Sequence, residues 1–171
     1  MARLFFALWP DDQTRNKLYN VAEQFKEEEL RLVKKANLHM TLEFLGEVSN
    51  KDQQELIGSI NKIENESFKL QLTRVGFWKK PQILFIGTTQ VPKSLLLLVK
   101  SIKKCVNQQD LKTDDREYKP HVTIARKVKK VILPKETFKI NLQIRSFALV
   151  VSKSTNNCVE YNVINEWSLT I

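Results

Sequence analysis

Short runs of apolar residues, several of them alternating with polar ones, predict strands along the whole chain. Pro10 ends the first run, and Gly46 is expected to stop a later one. The last third of the chain carries only such runs, with a turn at 154–157. The predicted strands cover residues 3–9, 30–33, 38–45, 68–77 and 83–88, a segment that begins at His121, and residues 138–144, 146–152 and 159–171.

Apolar residues three or four positions apart predict three helices between these strands. The first is expected to run to about Glu29, and the other two to cover 51–63 and 93–108. The predicted caps are Asp11 or Asp12, Ser49 or Asn50, and Pro92. The order strand, helix, strand occurs twice, which predicts one α+β domain over 1–171, made of two lobes related by a pseudo-twofold axis.

The chain has two histidines, and the same pattern surrounds both. Thr41 follows His39 two positions later, and Thr123 follows His121 at the same spacing. Because alternate side chains of a strand point to one face, each histidine projects together with its threonine, about 6.6–7 Å apart along the strand. The apolar residues between and after them, Phe44 among these, are expected on the opposite face, against a core. We therefore predict two matching strands, each with one face that forms part of a site.

These side chains suit a reaction at phosphorus. An imidazole titrates near neutral pH, so one histidine can accept a proton while the other donates one. Threonine hydroxyls donate hydrogen bonds to phosphoryl oxygens. Two such units across a cleft would bracket one phosphorus atom. The alternative is a pair of structural histidines whose hydrogen bonds are satisfied by the neighbouring hydroxyls.

Composition limits the class of protein. The net charge of +9 favours a polyanionic partner such as RNA, although a solvated lysine surface would give the same balance. The chain has no apolar run near 18 residues and no signal peptide pattern, which predicts a soluble cytoplasmic protein that does not contact membranes. Cys105 and Cys158 are isolated and are interpreted as structural thiols. Glycine-rich phosphate loops are absent from the sequence.

The two motifs and the segments RLFFALWPDD, NLHMTLEFLGEV and KPHVTIARK together resemble the 2H phosphoesterase superfamily. Within it, the chain is similar to RNA 2′,3′-cyclic phosphodiesterases, also called 2′-5′ RNA ligases. The resemblance implies a bilobal α+β fold of antiparallel-rich sheets with outer helices and a central cleft. It also implies hydrolysis of a 2′,3′-cyclic phosphate at an RNA end to a 2′-phosphate, with reversible 2′-5′ ligation. No metal or other cofactor is expected, and the protein is expected to be a monomer.

The resemblance also assigns roles to residues. His39 and His121 become the acid–base pair, and Thr41 and Thr123 the ligands of the phosphate oxygens. Arg126 matches a family arginine that contacts phosphate. In an ideal strand Arg126 would face away from His121, so this role requires a bulge or a strand end near Ala125; otherwise Arg126 is a surface charge.

Aromatic residues near the motifs are candidates for stacking on a base. They are Phe44, for which core packing is the preferred interpretation, and Phe77 or Trp78. The loops expected to line the cleft are 34–37, 77–82 and 109–119.

As a mechanism, we predict that neutral His121 takes a proton from water and that protonated His39 donates to the departing O3′, a division that could be reversed. One alternative keeps the site and changes the substrate to a 2′-5′ oligoadenylate or a small cyclic nucleotide phosphate. Another is a module that binds RNA ends without turnover.

Overall fold

A computed structural model describes residues 1–26, 30–130, 137–154 and 159–171. In these ranges the chain forms ten β-strands and three α-helices. The strands are β1 (Ala2–Leu8), β2 (Arg31–Leu32), β3 (Met40–Val48), β4 (Phe68–Leu72), β5 (Arg74–Trp78), β6 (Ile83–Gly87), β7 (His121–Arg126), β8 (Ile140–Ile144), β9 (Ser146–Ser154) and β10 (Val159–Ser168). The helices are α1 (Asp12–Glu23), α2 (Asn50–Ile60) and α3 (Lys93–Asn107), and a 3₁₀ turn at Lys35–Asn37 precedes β3.

Eight of the described strands form one antiparallel sheet. Its order is β10-β9-β1-β3-β7-β6-β5, and β2 pairs with the end of β7. A separate two-stranded sheet joins β4 to β8. In the middle of the main sheet, β3 therefore meets β7. The first motif leads into β3, and the second motif lies within β7.

The two faces of the main sheet have different surroundings. On β1, Leu4, Phe6 and Leu8 point into the main core, where the apolar stripes of the three helices also pack. Phe5 and Ala7 alternate with them and face the other way, in a smaller cluster with residues of β9. One face is thus closed by helices, and the second is left for a cleft.

Two helix caps confirm the sequence prediction. Asp11 accepts a hydrogen bond from the Thr14 amide at 2.7 Å, and Ser49 accepts one from the Asp52 amide at 3.2 Å. The first helix, however, ends at Glu23 rather than near residue 29. A tight turn follows it at residues 24–25, and residues 27–29 lie outside the described ranges. In the sequence these are three glutamates, which are unfavourable in the last turn of a helix because of its dipole.

Two strand boundaries were predicted wrongly. The run 68–77 forms two strands, β4 and β5, which are separated by Thr73 and belong to different sheets. Gly46 does not end β3, which continues to Val48. Gly46 has a φ of +69° beside an irregularity of pairing, and glycine accepts this left-handed conformation without strain.

The remaining sequence predictions concern chain connections and class. Most of the predicted turn at 154–157 and Cys158 lie outside the described residues, whereas Cys105 is a free, half-buried thiol. In the described ranges, no helix has the length and apolar character needed to span a bilayer. The α+β architecture with outer helices and two halves is confirmed, and the halves share one continuous sheet.

Candidate functional site

A cleft of about 1170 Å³ opens on the sheet face opposite the main core. His39, Thr41, His121 and Thr123 all line it. Parts of the three predicted wall segments, 34–37, 77–82 and 109–119, line it too. The structure therefore gathers the two separated motifs into one place.

A local twofold relation joins the motifs. Met40 and Val122, the middle residues of the two His-x-Thr patterns, are antiparallel partners across β3 and β7. Continuing this register by one residue on either side sets each histidine across from the threonine of the other motif. The four polar side chains thus form a two-by-two array over a buried apolar pair.

Both motif strands carry a bulge directly after the threonine. Two consecutive residues of β1 pair with Glu43 and Thr41 of β3, so Leu42 between them is the extra residue. Two consecutive residues of β6 pair with Ala125 and Thr123 of β7, so Ile124 between them is the extra residue. After an extra residue, each later side chain of the strand points to the face opposite to the one that unbroken alternation predicts.

The bulges turn the fifth residue after each histidine toward the cleft. Arg126 lies on the same face as Thr123, as the sequence-based hypothesis required, and it lines the cleft. Phe44 lies on the same face as Thr41 and is 58% exposed. Its predicted place in the core is therefore wrong, because that prediction assumed unbroken alternation. The carboxylate of Glu43 is buried instead.

His39 sits in an aromatic enclosure. Its Nδ1 donates to the carbonyl of Asn37 at 2.7 Å, which leaves Nε2 to accept a hydrogen bond from the Thr41 hydroxyl at 3.0 Å. The ring centroids of Phe5, Trp9 and Tyr161 lie 4.9, 5.7 and 5.1 Å from that of His39. These contacts fix the ring and leave it half-buried.

His121 is held in the same way with fewer aromatic neighbours. Its Nδ1 donates to the carbonyl of Lys119 at 2.7 Å, so its Nε2 also carries the lone pair. The ring of Trp78 meets it edge to face at 4.5 Å, and Phe85 lies at 5.6 Å. In both halves, the carbonyl two residues before the histidine selects the tautomer.

The two histidines differ in how strongly they resist protonation. Burial is the main cause that lowers the pKa of His39 to about 4, and the positive charges of His121, Arg126 and Arg15 add to it. Burial, then Arg126, also lowers the pKa of His121 below 6.5. In each case the carbonyl that accepts from Nδ1 opposes the shift. The charge of Arg126 thus opposes protonation of both rings.

A buried carboxylate ties the wall of the cleft to the first motif strand. Glu43 accepts a hydrogen bond from the Asp114 amide at 2.9 Å and lies 3.5 Å from Lys103 Nζ. Burial raises the pKa of Glu43, and these two partners oppose the rise. Nearby, the Tyr118 hydroxyl donates to the Thr41 carbonyl at 3.1 Å. The segment that leads into His121 is thereby fastened to the strand of Thr41.

The stacking candidates occupy different positions. Phe44 is exposed on the rim of the cleft. Trp78 and Phe77 both line the cleft from β5, but Trp78 packs on His121 and Phe77 also contacts the main core. Phe44 is therefore the one of the three with a large free surface.

Some residues of the cleft carry no local signal in the sequence. Trp9 stacks on His39 from the end of β1, and its own ring is covered by the Arg15 guanidinium at 4.8 Å. Tyr161 reaches the same histidine from β10. Only the sheet order brings these residues together. Among the described residues, no three His, Cys, Asp or Glu side chains cluster as metal ligands would.

Comparison with known proteins gives consistent matches. Residues 8–85 match the family of LigT-like phosphoesterases. The RNA 2′,3′-cyclic phosphodiesterase of Escherichia coli K12 is 28% identical over 98% of this chain and 97% of its own. The protein of the same name from Methanocaldococcus jannaschii is 29% identical, with 96% of this chain and 99% of that protein covered.

Solved structures agree over nearly the whole fold. A crystal structure of E. coli LigT complexed with 3′-AMP superposes with a TM-score of 0.93 at 28% identity and covers 99% of each chain. The complex of the same protein with phosphate gives a TM-score of 0.87 at 27% identity, and covers 99% of this chain and 98% of that one.

Proposed function

We propose that this chain is a LigT-like phosphoesterase and that it hydrolyses the 2′,3′-cyclic phosphate at an RNA end to a 2′-phosphate. The observation that carries the proposal is the two-by-two array of histidines and threonines in a single cleft. The names of the relatives support the substrate class. The expected cytoplasmic location and the action of residues 1–171 as one unit are part of the same proposal.

The array suits displacement at phosphorus for a geometric reason. Both histidines donate a hydrogen bond from Nδ1–H to a main-chain carbonyl. The two Nε2 atoms are therefore the groups that exchange protons with substrate. The reaction forms a bond from a water oxygen to phosphorus and breaks the bond from phosphorus to O3′. One Nε2 takes the proton of the water, and the other gives a proton to O3′.

The difference in burial favours a specific division of labour. His39 is harder to protonate, so we assign it as the base, and His121 as the acid. This reverses the assignment predicted from the sequence. On substrate binding, the Thr41 hydroxyl would transfer its hydrogen bond from His39 Nε2 to a phosphate oxygen and so release the base. Thr123 and Arg126 would stabilise charge on the other oxygens.

The first test uses an RNA oligonucleotide with a 2′,3′-cyclic phosphate and protein treated with EDTA. We expect conversion to the 2′-phosphate, separated from the 3′-phosphate by chromatography. A plot of kcat/KM against pH should be bell-shaped, rising near pH 4 and falling above the pKa of His121, below 6.5. A flat profile from pH 5 to 9, or binding without turnover, would refute the acid–base pair.

A second test assigns acid and base, which the pH profile cannot do because it reports the pair. In a substrate with sulfur at the 3′ bridging position, the thiolate leaves without a general acid. We expect this substrate to restore much of the activity of His121→Ala and little of that of His39→Ala. The opposite pattern would return the roles to the assignment predicted from the sequence.

The same cleft accommodates the reverse reaction, in which a ribose 5′-hydroxyl replaces water and a 2′-5′ linkage forms. Adding an RNA with a 5′-hydroxyl end to the first assay tests for this product. A parallel assay with 2′-5′ oligoadenylate and with mononucleoside cyclic phosphates ranks the alternative substrates by kcat/KM.

A further inference from the structure

Two arginines face each other at one end of the cleft. Arg31 of β2 is the antiparallel partner of Arg126 of β7, and both side chains are exposed and line the cavity. Partners in such a pair project on the same face with Cβ atoms about 4.5–5.5 Å apart. The cleft wall therefore carries two arginine side chains that start from adjacent positions on neighbouring strands.

This pair has no counter-charge of its own. Over the described ranges, neither arginine makes an ion pair or side-chain hydrogen bond with another residue. Like charges directly opposite in a sheet are destabilising, so an anion between or beside them would relieve the repulsion. Of the described acids that line the cleft, Glu43 and Asp114 are engaged by Lys103 and Arg116, and Glu117 makes no ion pair with either arginine of the pair.

The surroundings of the pair are also cationic. Three lysines line the cavity from two neighbouring turns, between β2 and β3 and between β5 and β6: Lys34, Lys79 and Lys80. Because β3 and β7 are antiparallel, this end of the cleft is opposite to the end that carries Phe44. Phe44 is thus at one end of the cleft, and the arginine pair is at the other.

Arg31 lies beyond the reaction centre. Arg126 is on the motif strand β7 and on the same face as Thr123, whereas Arg31 is on β2, outside both motif strands. Its main chain is level with that of Arg126, three residues past Thr123 and about 7–10 Å along the strand from that threonine. An anion bound by Arg31 is therefore a second phosphate, distinct from the one that reacts.

We propose that Arg31 binds the 5′-phosphate of the nucleotide that carries the cyclic phosphate. In an RNA chain this group is the phosphodiester that joins the terminal nucleotide to the one before it. The inference rests on the proposed function and sharpens its substrate class: an oligonucleotide end, or a 5′-phosphorylated nucleotide, is preferred over a nucleoside cyclic phosphate.

The test compares four substrates on the wild-type protein and on Arg31→Gln. They are cytidine 2′,3′-cyclic phosphate, its 5′-phosphorylated form, a dinucleotide ending in a cyclic phosphate, and the same dinucleotide with an uncharged methylphosphonate linkage. Loss of one charge-assisted hydrogen bond should lower kcat/KM about tenfold for the two substrates with a charged 5′-phosphate. The other two should change less than about twofold. Arg145→Gln removes an exposed arginine outside the cleft and should leave all four unchanged.

An equal effect of Arg31→Gln on all four substrates, or an effect on none, would overturn the proposal. Calorimetric affinities for the matching 2′-phosphate products measure the same contact without turnover. Failure of the wild-type protein to cleave any substrate would thus refute the proposed reaction, while a phosphate-dependent loss of affinity in Arg31→Gln would still support the second phosphate site.

Discussion

The two halves of the cleft share a frame and differ in what surrounds it. In each, a carbonyl two residues before the histidine binds Nδ1, a threonine follows at the second position, and a bulge follows the threonine. The His39 half is enclosed by three aromatic rings and ends in Phe44. The His121 half is more open and ends in Arg126. A duplicated frame thus positions two equal groups, and their unequal surroundings give them different chemistry.

The largest expected effect comes from removing either half of the pair. His39→Ala and His121→Ala should each lower kcat by about 10²- to 10⁴-fold, because each removes one proton transfer in the transition state. The double variant should be about as inactive as the worse single one, since the residues act as a unit. Steady-state kinetics on the cyclic substrate measure all three, with thermal melting as the control for folding. Near-normal turnover in both single variants would contradict the assignment.

The difference in burial predicts a difference in how stability depends on pH. The pKa of His39 falls from 6.5 in the unfolded chain to about 4 in the folded protein. The contribution of this histidine to the free energy of unfolding is therefore complete above pH 6.5. It is lost as the pH falls to about 4, and the loss is about 3 kcal/mol in total. In His39→Gln, the drop in unfolding free energy between pH 7 and pH 4, measured with urea, should shrink by about this amount.

His121→Gln is the matched variant for that measurement. The pKa of His121 is lowered as well, but the ring has fewer aromatic neighbours, so its substitution should change the pH dependence less. Equal effects of the two substitutions would mean that the halves do not differ in the way their surroundings indicate.

The fourth residue after each histidine also differs between the halves. It is the buried carboxylate of Glu43 in one and the buried methyl group of Ala125 in the other. Glu43→Ala should lower the unfolding free energy by about 2 kcal/mol and speed hydrogen exchange at the Asp114 amide, because it leaves that amide without its partner and removes the ion pair of Lys103. Glu47→Ala, on the exposed part of the same strand, should change stability by less than about 0.5 kcal/mol. Equal losses in both variants would contradict this role.

The smallest expected effect concerns the aromatic end of the cleft. Phe44→Ala should raise KM for a cyclic-phosphate oligonucleotide about tenfold by removing a stacking surface, with little change in melting temperature. Leu97→Ala is the matched control, since Leu97 is also 58% exposed but lies on α3 outside the cleft. An unchanged KM in Phe44→Ala would remove this residue from the substrate site.

The sequence predicts the frame better than its surroundings. His39 and Thr41 could be paired because one rule, the alternation of side chains in a strand, governs neighbours in the chain. The same rule failed at Phe44, since a one-residue bulge reverses it and leaves no mark in the local pattern. At Arg126 a chemical role supplied the missing constraint: facing the cleft required either a bulge or a strand end near Ala125, and the structure has the bulge.

The remaining features depend on contacts between distant segments. Trp9 and Tyr161 are separated by most of the chain, yet both contact His39. The pairing of Arg31 with Arg126 likewise depends on sheet order. Local propensity contains no information about such pairs, so neither the depressed pKa of His39 nor the cationic end of the cleft could be predicted.

The position of β10 has a consequence for how the protein is made. During synthesis β1 and His39 emerge early, whereas β9, which pairs with β1, and Tyr161 of β10 emerge last. Until then one edge of β1 has no partner, and pairings this distant in sequence form slowly. On the ribosome, the first histidine is thus translated long before its surroundings are complete, and its third aromatic neighbour arrives only when β10 joins the sheet.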